Sequence, residues 1–155
     1  MASIRRRIGD NMEDRYLFKA KRIDNGEWEI GSLICLPNGE YEIANKCTNP
    51  PDSDPMWGKC VITHKVDHTT ICQCTGLTDK NGQKIWENDV VGFLDTYSTE
   101  SGKAEADCIG KVVWDDETIS FQVTNRLSAE SYEVLDECGV IGNIFDNPEL
   151  LESEE

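Results

Sequence analysis

Five residues with metal-binding side chains lie within a stretch of fifteen residues: Cys60, His64, His68, Cys72 and Cys74. Zinc prefers thiolate and imidazole ligands, and structural zinc sites usually present them in pairs two to four residues apart at both ends of a loop. Only Cys72 and Cys74 form a close pair, and on a strand they would point to one face about 7 Å apart. A redox pair would need two intervening residues. We therefore favour a strand core over a metal site and expect no cofactor.

Other signatures of catalysis are incomplete in this sequence. The run Asp79-Lys80-Asn81-Gly82 resembles the start of a calcium loop, which requires a glycine at its sixth position and a glutamate at its twelfth. Lys84 and Val90 occupy those positions. The glycines stand singly, so there is no phosphate-binding loop, and no Gly-x-Ser-x-Gly elbow marks a nucleophile. The sequence indicates a protein that is not an enzyme.

Two features are candidates for protein contact. Trp57 follows an irregular proline-rich loop, whereas Trp28, Trp86 and Trp114 lie in predicted strands and are expected in the core. The acidic run Asp115-Asp116-Glu117 lies between two predicted strands, where carboxylates usually form a solvated turn. We predict that Trp57 and the acidic turn are exposed and available to a partner.

Charge and composition exclude several classes of function. The 155 residues include 15 basic and 30 acidic ones, a formal charge of −15, which disfavours direct binding to nucleic acid or to an anionic membrane. No apolar run approaches the roughly 18 residues of a membrane span. Seven cysteines without a hydrophobic signal segment fit reduced thiols in a cytoplasm.

The charge is also unevenly distributed along the chain. Residues 1–22 contain seven basic and three acidic residues, including Arg5, Arg6 and Arg7. We predict a flexible basic leader over 1–13 and an acidic tail over 148–155.

The pattern of apolar residues predicts an all-β protein with antiparallel sheets and at most one or two short helices. Short apolar bursts alternate with turn residues, and Asn25-Gly26 and Asn38-Gly39 are typical of tight hairpins. Alternation places Ile119, Phe121 and Val123 on one face of a strand. A helix is expected only around residues 125–134. The spacing of strands from Trp86 onward predicts a C-terminal SH3-like small barrel.

Three blocks of the sequence, in this order along the chain, resemble the YopX family of phage and prophage proteins. They include Tyr16-Leu17-Phe18-Lys19, Thr75-Gly76-Leu77-Thr78-Asp79-Lys80-Asn81-Gly82, and Val140-Ile141-Gly142-Asn143-Ile144-Phe145. The sequence departs from the family pattern at Cys74, Trp86 and Asn88, where an aromatic residue, tyrosine and glycine are usual. Because Cys74 replaces an apolar residue, the departure supports its place in a core.

The resemblance implies a mostly β protein that acts in the cytoplasm of a bacterial host, and it brings no catalytic residues. We expect a single β domain over residues 14–147, with sub-halves of about 14–75 and 76–147. The favoured function is a non-enzymatic accessory protein that binds another protein and forms a homo-oligomer, because open sheet edges need covering. One alternative is an acidic counter-defence or host-takeover inhibitor that mimics nucleic-acid charge and binds a basic host protein. The other is a small-molecule or metal-binding module that uses the Cys60–Cys74 region.

Overall fold

The computed structural model describes residues 14–46, 61–125, 131–133 and 137–152. Within these ranges the chain forms eleven strands, all paired antiparallel where pairing is resolved, and a single four-residue α-helix, α1 (Glu149–Glu152). The predicted all-β class is confirmed. The chain divides into two compact units, Met1–Cys74 and Thr75–Glu155. In the part of the chain described, no helix is long and apolar enough to cross a membrane.

The first unit is an antiparallel sheet with strand order β4-β3-β2-β1-β5. Its strands are β1 (Phe18–Lys21), β2 (Trp28–Cys35), β3 (Tyr41–Lys46), β4 (Val61–Val66) and the start of β5 (Cys72–Thr78). Gly26 and Gly39 have φ values of 72° and 87°, so the predicted Asn-Gly turns use the backbone conformation that glycine allows. Ala20, Ile43 and Val66 are buried and form the centre of this unit's core.

The second unit contains the end of β5, its neighbour β6 (Lys84–Trp86) and a five-stranded sheet with order β10-β9-β8-β7-β11. The strands of this sheet are β7 (Asp89–Thr99), β8 (Gly102–Asp115), β9 (Ser120–Asn125), β10 (Ser131–Glu133) and β11 (Gly139–Asn143). Apolar side chains from β6, β7, β8, β9 and the residue before β11 meet in one buried cluster, which consists of Ile85, Val91, Val112, Val123 and Cys138.

The residues described do not form the SH3-like small barrel that was predicted from Trp86 onward. β11 returns to pair with β7, but in the residues described β10 and β11 are the two edges of the sheet and no pairing joins them. The spacing of strands along a chain indicates how many strands there are, whereas closure depends on their tilt and stagger. As far as the structure describes them, the five strands form an open sheet.

Three local predictions were also wrong. Ile119 is 74% exposed with a φ of 53°, so it belongs to the β8–β9 turn and not to the apolar face of β9. Trp114 is 43% exposed because it lies beside that turn, where its ring packs edge-on against Phe121 and not in the core. Ser131–Glu133 is a strand, although a helix was predicted around residues 125–134, because pairing with β9 outweighs local helix propensity.

Candidate functional site

The candidate site of the second unit is a groove centred on two glycines that face each other across neighbouring strands. Gly92 on β7 is the direct partner of Gly139 on β11. Because neither residue has a side chain, the sheet surface is recessed here. The resulting groove has a volume of about 560 Å³. A Cβ atom at Gly92 would lie 4.0 Å from Cγ2 of Ile141, and one at Gly139 would lie 3.1 Å from Cε of Lys80.

The walls of the groove are apolar and partly open to solvent. Leu94 follows Gly92 on the same face of β7 and is 62% exposed, and Ile141 is 47% exposed. Ile109, the partner of Gly92 on β8, is half-buried. Large apolar side chains that remain partly exposed are typical of surfaces that another molecule covers.

The rim of the groove carries charge of both signs. Asp107 and Glu137 are exposed carboxylates, and Lys80 supplies one ammonium group. The wider environment is acidic, because Thr75–Glu155 contains five basic and nineteen acidic residues, a formal charge of −14. The field around the groove therefore favours positively charged partners.

A buried carboxylate fixes the position of one wall. Oδ2 of Asp79 accepts a hydrogen bond of 2.9 Å from the backbone N–H of Val140, next to Gly139. Its Oδ1 accepts hydrogen bonds of 2.9 Å from the N–H groups of Asn81 and Gln83. The backbone N–H of Lys80 also donates to the carbonyl of Cys138. The tight turn at residues 79–83 is thus joined to β11 by its first two residues.

The same contacts set the pKa of Asp79. Burial raises the pKa of this carboxyl group, but hydrogen bonds from the three backbone N–H groups outweigh burial and hold the pKa below its ordinary value. Asp79 is therefore ionised at neutral pH in a position that is only 5% exposed. Its role is to hold the turn and strand together, in agreement with the failure of the calcium-loop pattern.

A second buried carboxylate, that of Asp89, stabilises the turn that leads into β7. Asp89 is 2% exposed, and its Oδ2 accepts a hydrogen bond of 2.8 Å from the backbone N–H of Trp86. Asn88 has a φ of 70°, the left-handed conformation that glycine and asparagine tolerate best. Its N–H donates to the carbonyl of Val112 and its carbonyl accepts from Ile144. This turn aligns β7 with the strands on both sides of it.

The five residues that were weighed as metal ligands against a strand core lie in the first unit, except Cys60, which is outside the described residues. His64 lies on β4 opposite Ile43, and His68 is exposed in a 3-10 turn with its ring stacked on Tyr41. Cys72 and Cys74 on β5 are each 1% exposed, and Sγ of Cys72 donates to the carbonyl of Thr70 at 3.2 Å. Among the residues described, no three His, Cys, Asp or Glu side chains come together in a group that could hold a metal ion.

The acidic residues predicted for protein contact form an ordered turn between β8 and β9. Oδ1 of Asp115 accepts from the N–H of Glu117 at 2.8 Å, and Asp116 accepts from the indole N–H of Trp114 at 2.8 Å. Asp116 and Glu117 are exposed. Trp57 lies outside the described residues. Use of this turn by a partner stays a prediction.

No groove was predicted at these residues from the sequence. One signal was present, because an isolated glycine within the apolar strand Val90-Val91-Gly92-Phe93-Leu94 indicates a close approach to the backbone or a site of recognition. Its pairing with Gly139 could not be read from the sequence, since the two glycines lie far apart along the chain.

Comparison with known proteins places the chain in a family. The crystal structure of protein EF1440 from Enterococcus faecalis is similar, with 22% identity, 86% of this chain and 96% of that chain covered, and a TM-score of 0.45. No curated protein matches this chain. The family model described as YopX protein matches residues 17–152, so the chain belongs to the YopX family.

Proposed function

We propose that this chain is a non-enzymatic protein-binding module, an accessory protein of a phage or prophage that acts in the cytoplasm of a bacterial host. The groove of the second unit is its binding surface. The observation that carries the proposal is the Gly92–Gly139 pair, which recesses the sheet between the exposed side chains of Leu94 and Ile141. The module also self-associates, because open sheet edges need covering.

A protein segment suits this groove better than a small molecule does. Small-molecule sites enclose most of the ligand and direct several polar groups at it. Here the groove is open along the sheet, and the charged groups of Lys80, Asp107 and Glu137 lie at its rim. Apolar walls with a polar rim are the usual arrangement of a protein interface.

The charge of the second unit defines the partner's chemistry. With a formal charge of −14 on Thr75–Glu155, an acidic partner would be repelled and a basic one attracted. We therefore propose a partner segment in which aliphatic side chains alternate with lysine or arginine. The aliphatic side chains would cover Leu94 and Ile141, and the cations would face Asp107 and Glu137.

A labelled seven-residue peptide that alternates lysine with valine tests this proposal. We expect saturable binding in fluorescence anisotropy that weakens as salt is raised, because exposed charges are screened. Leu94→Ser should weaken binding at least threefold. Val61→Ser, which removes an apolar side chain that is 58% exposed on β4, is the matched control and should leave binding unchanged. Equal binding by both variants would contradict the groove as the site.

A second candidate function is supported by the same charge. An acidic unit can occupy the nucleic-acid groove of a basic host protein, as the counter-defence alternative requires. This function predicts that double-stranded DNA and the chain compete for one partner. It also predicts that an alternating lysine–valine peptide competes poorly with that partner for the chain. Simultaneous binding of DNA and the chain to the captured partner would exclude charge mimicry.

A further inference from the structure

The β7–β8 hairpin extends beyond the rest of its sheet. The two strands pair with each other from Val90 and Lys111 to the tip at Thr99 and Gly102. β11 pairs with β7 only up to Gly92, and β9 pairs with β8 only from Gly110. Residues 93–99 and 102–109, which we call the arm, therefore have no third strand among the residues described. A two-stranded ribbon is marginally stable alone in water.

The arm has two different faces. Tyr97 opposes Ala104 and Asp95 opposes Ala106, on the same face as Phe93, which packs against the core cluster. The other face carries Lys103 opposite Ser98 and Glu105 opposite Thr96. On β8 the first face thus presents the small residues Gly102, Ala104 and Ala106, whereas the other face carries charges of both signs in alternate positions.

The backbone groups on the outer edge of β8 can be identified from neighbouring hydrogen bonds. The carbonyl of Val112 points toward the β7 side, because it accepts from the N–H of Asn88 at 2.8 Å. The carbonyl of Lys111 points to the β9 side, where it accepts from the hydroxyl of Thr124. Since backbone groups alternate along a strand, those of Lys103, Glu105 and Asp107 point to the outer edge of the arm.

We propose that two copies of this chain join their arms edge to edge through β8, antiparallel, with Ala104 on the two-fold axis. In this register Lys103 of one copy forms a hydrogen-bonded backbone pair with Glu105 of the other, and the symmetry repeats the pair. Both residues have outward backbone groups, and their side chains lie on one face. Among the residues described, neither Lys103 nor Glu105 makes an ion pair within its own chain.

Charge complementarity selects this register over its neighbours. An axis at Glu105 would pair Lys103 with Asp107 but would place the two Glu105 carboxylates against each other, and an axis at Ala106 would place Glu105 against Asp107. Like charges directly opposite each other on a sheet are destabilising. An axis at Ala104 instead pairs Gly102 with Ala106, so that small residues meet on the other face. The result is a four-stranded ribbon in which each arm supplies the strand that the other lacks.

This inference assigns a surface to the self-association in the proposed function. The residues that it pairs, Lys103 and Glu105, are not among those that line the groove. Sedimentation equilibrium of the whole chain should give twice the monomer mass of 17.5 kDa. Lys103→Glu and Glu105→Lys should each raise the dimer dissociation constant about tenfold or more, because two attractive pairs become repulsive. The double variant, with both substitutions, should restore the dimer. Glu117→Lys, in the exposed β8–β9 turn, gives the same change in net charge as Glu105→Lys and should leave the dimer unchanged.

Several results would overturn the arm-to-arm dimer. The wild-type chain could have a mass of 17.5 kDa at working concentration, which is that of a monomer. The dimer could persist in both single variants, or the double variant could stay monomeric. Circular dichroism shows whether each variant is folded. Because the Lys103 and Glu105 side chains are exposed, we expect both single variants and the double variant to fold. Peptide binding at the groove should persist in the monomeric variants, which separates failure of the dimer from failure of the groove.

Discussion

The carboxylate of Asp79 accepts a hydrogen bond from the backbone N–H of Val140, 61 residues later in the chain. This bond joins the turn of one block of the YopX pattern to the strand of another. Two segments that resemble the family in sequence are therefore in direct contact. Their residues hold the wall of the groove in place.

Replacing Asp79 with asparagine should destabilise the protein by about 2–4 kcal/mol. The amide keeps one carbonyl oxygen, but it loses the charge and places an N–H₂ group against backbone donors in a buried position. Urea unfolding followed by circular dichroism measures the loss. Glu100→Gln near the tip of the β7–β8 hairpin, where the side chain is exposed, should change stability by less than about 0.5 kcal/mol. Equal losses of stability in the Asp79→Asn and Glu100→Gln variants would show that the Asp79 contacts contribute little to the free energy of unfolding.

The contribution of Asp79 to the free energy of unfolding should decrease as pH falls. Its pKa is lower in the folded state than in the unfolded chain, so its contribution is full above an unfolded pKa of about 3.9 and is lost as pH falls through the folded value. The difference in unfolding free energy between wild type and Asp79→Asn should thus be largest above pH 5 and shrink toward pH 2. A difference that stays constant over this range would contradict the assigned pKa shift.

Two strand glycines should respond differently to alanine. A Cβ at Gly92 would meet its nearest atoms at 4.0 Å, which is ordinary contact, whereas a Cβ at Gly110 would lie 2.5 Å from Cγ1 of Val123. Gly92→Ala should change stability by less than about 1 kcal/mol, and Gly110→Ala should cost about 2 kcal/mol or more through overpacking. Thermal unfolding of the two variants side by side tests this difference. A stable Gly110→Ala variant would indicate that β8 and β9 are less closely packed than described.

Asn88 should accept glycine and reject β-branched residues. Its φ of 70° costs little for glycine or asparagine, but strains a residue with a branched side chain. Asn88→Gly should remain within about 0.5 kcal/mol of wild type, and Asn88→Val should lose about 1–3 kcal/mol in urea unfolding. If valine is tolerated as well as glycine, the turn before β7 is not constrained as the structure shows.

The strands and turns were predictable because their signals are local. Asn25-Gly26 and Asn38-Gly39 indicate turns by their own backbone preferences, and alternation marks Phe121 and Val123 as core residues. The groove depends on a cross-strand pair, Gly92 with Gly139, whose register is set by tertiary packing. For the same reason, the sequence could not distinguish an open sheet from a barrel or place Trp114 beside an exposed turn.

Mapping of peptide binding by NMR tests the central claim most directly. Backbone amide shifts of the ¹⁵N-labelled chain would be followed during titration with the alternating lysine–valine peptide. The account predicts saturable shifts concentrated at Gly92, Leu94, Gly139 and Ile141, with smaller changes at Asp107. Shifts confined to the Asp115–Glu117 turn or to the first unit, or no saturable shifts, would contradict a binding site at the groove.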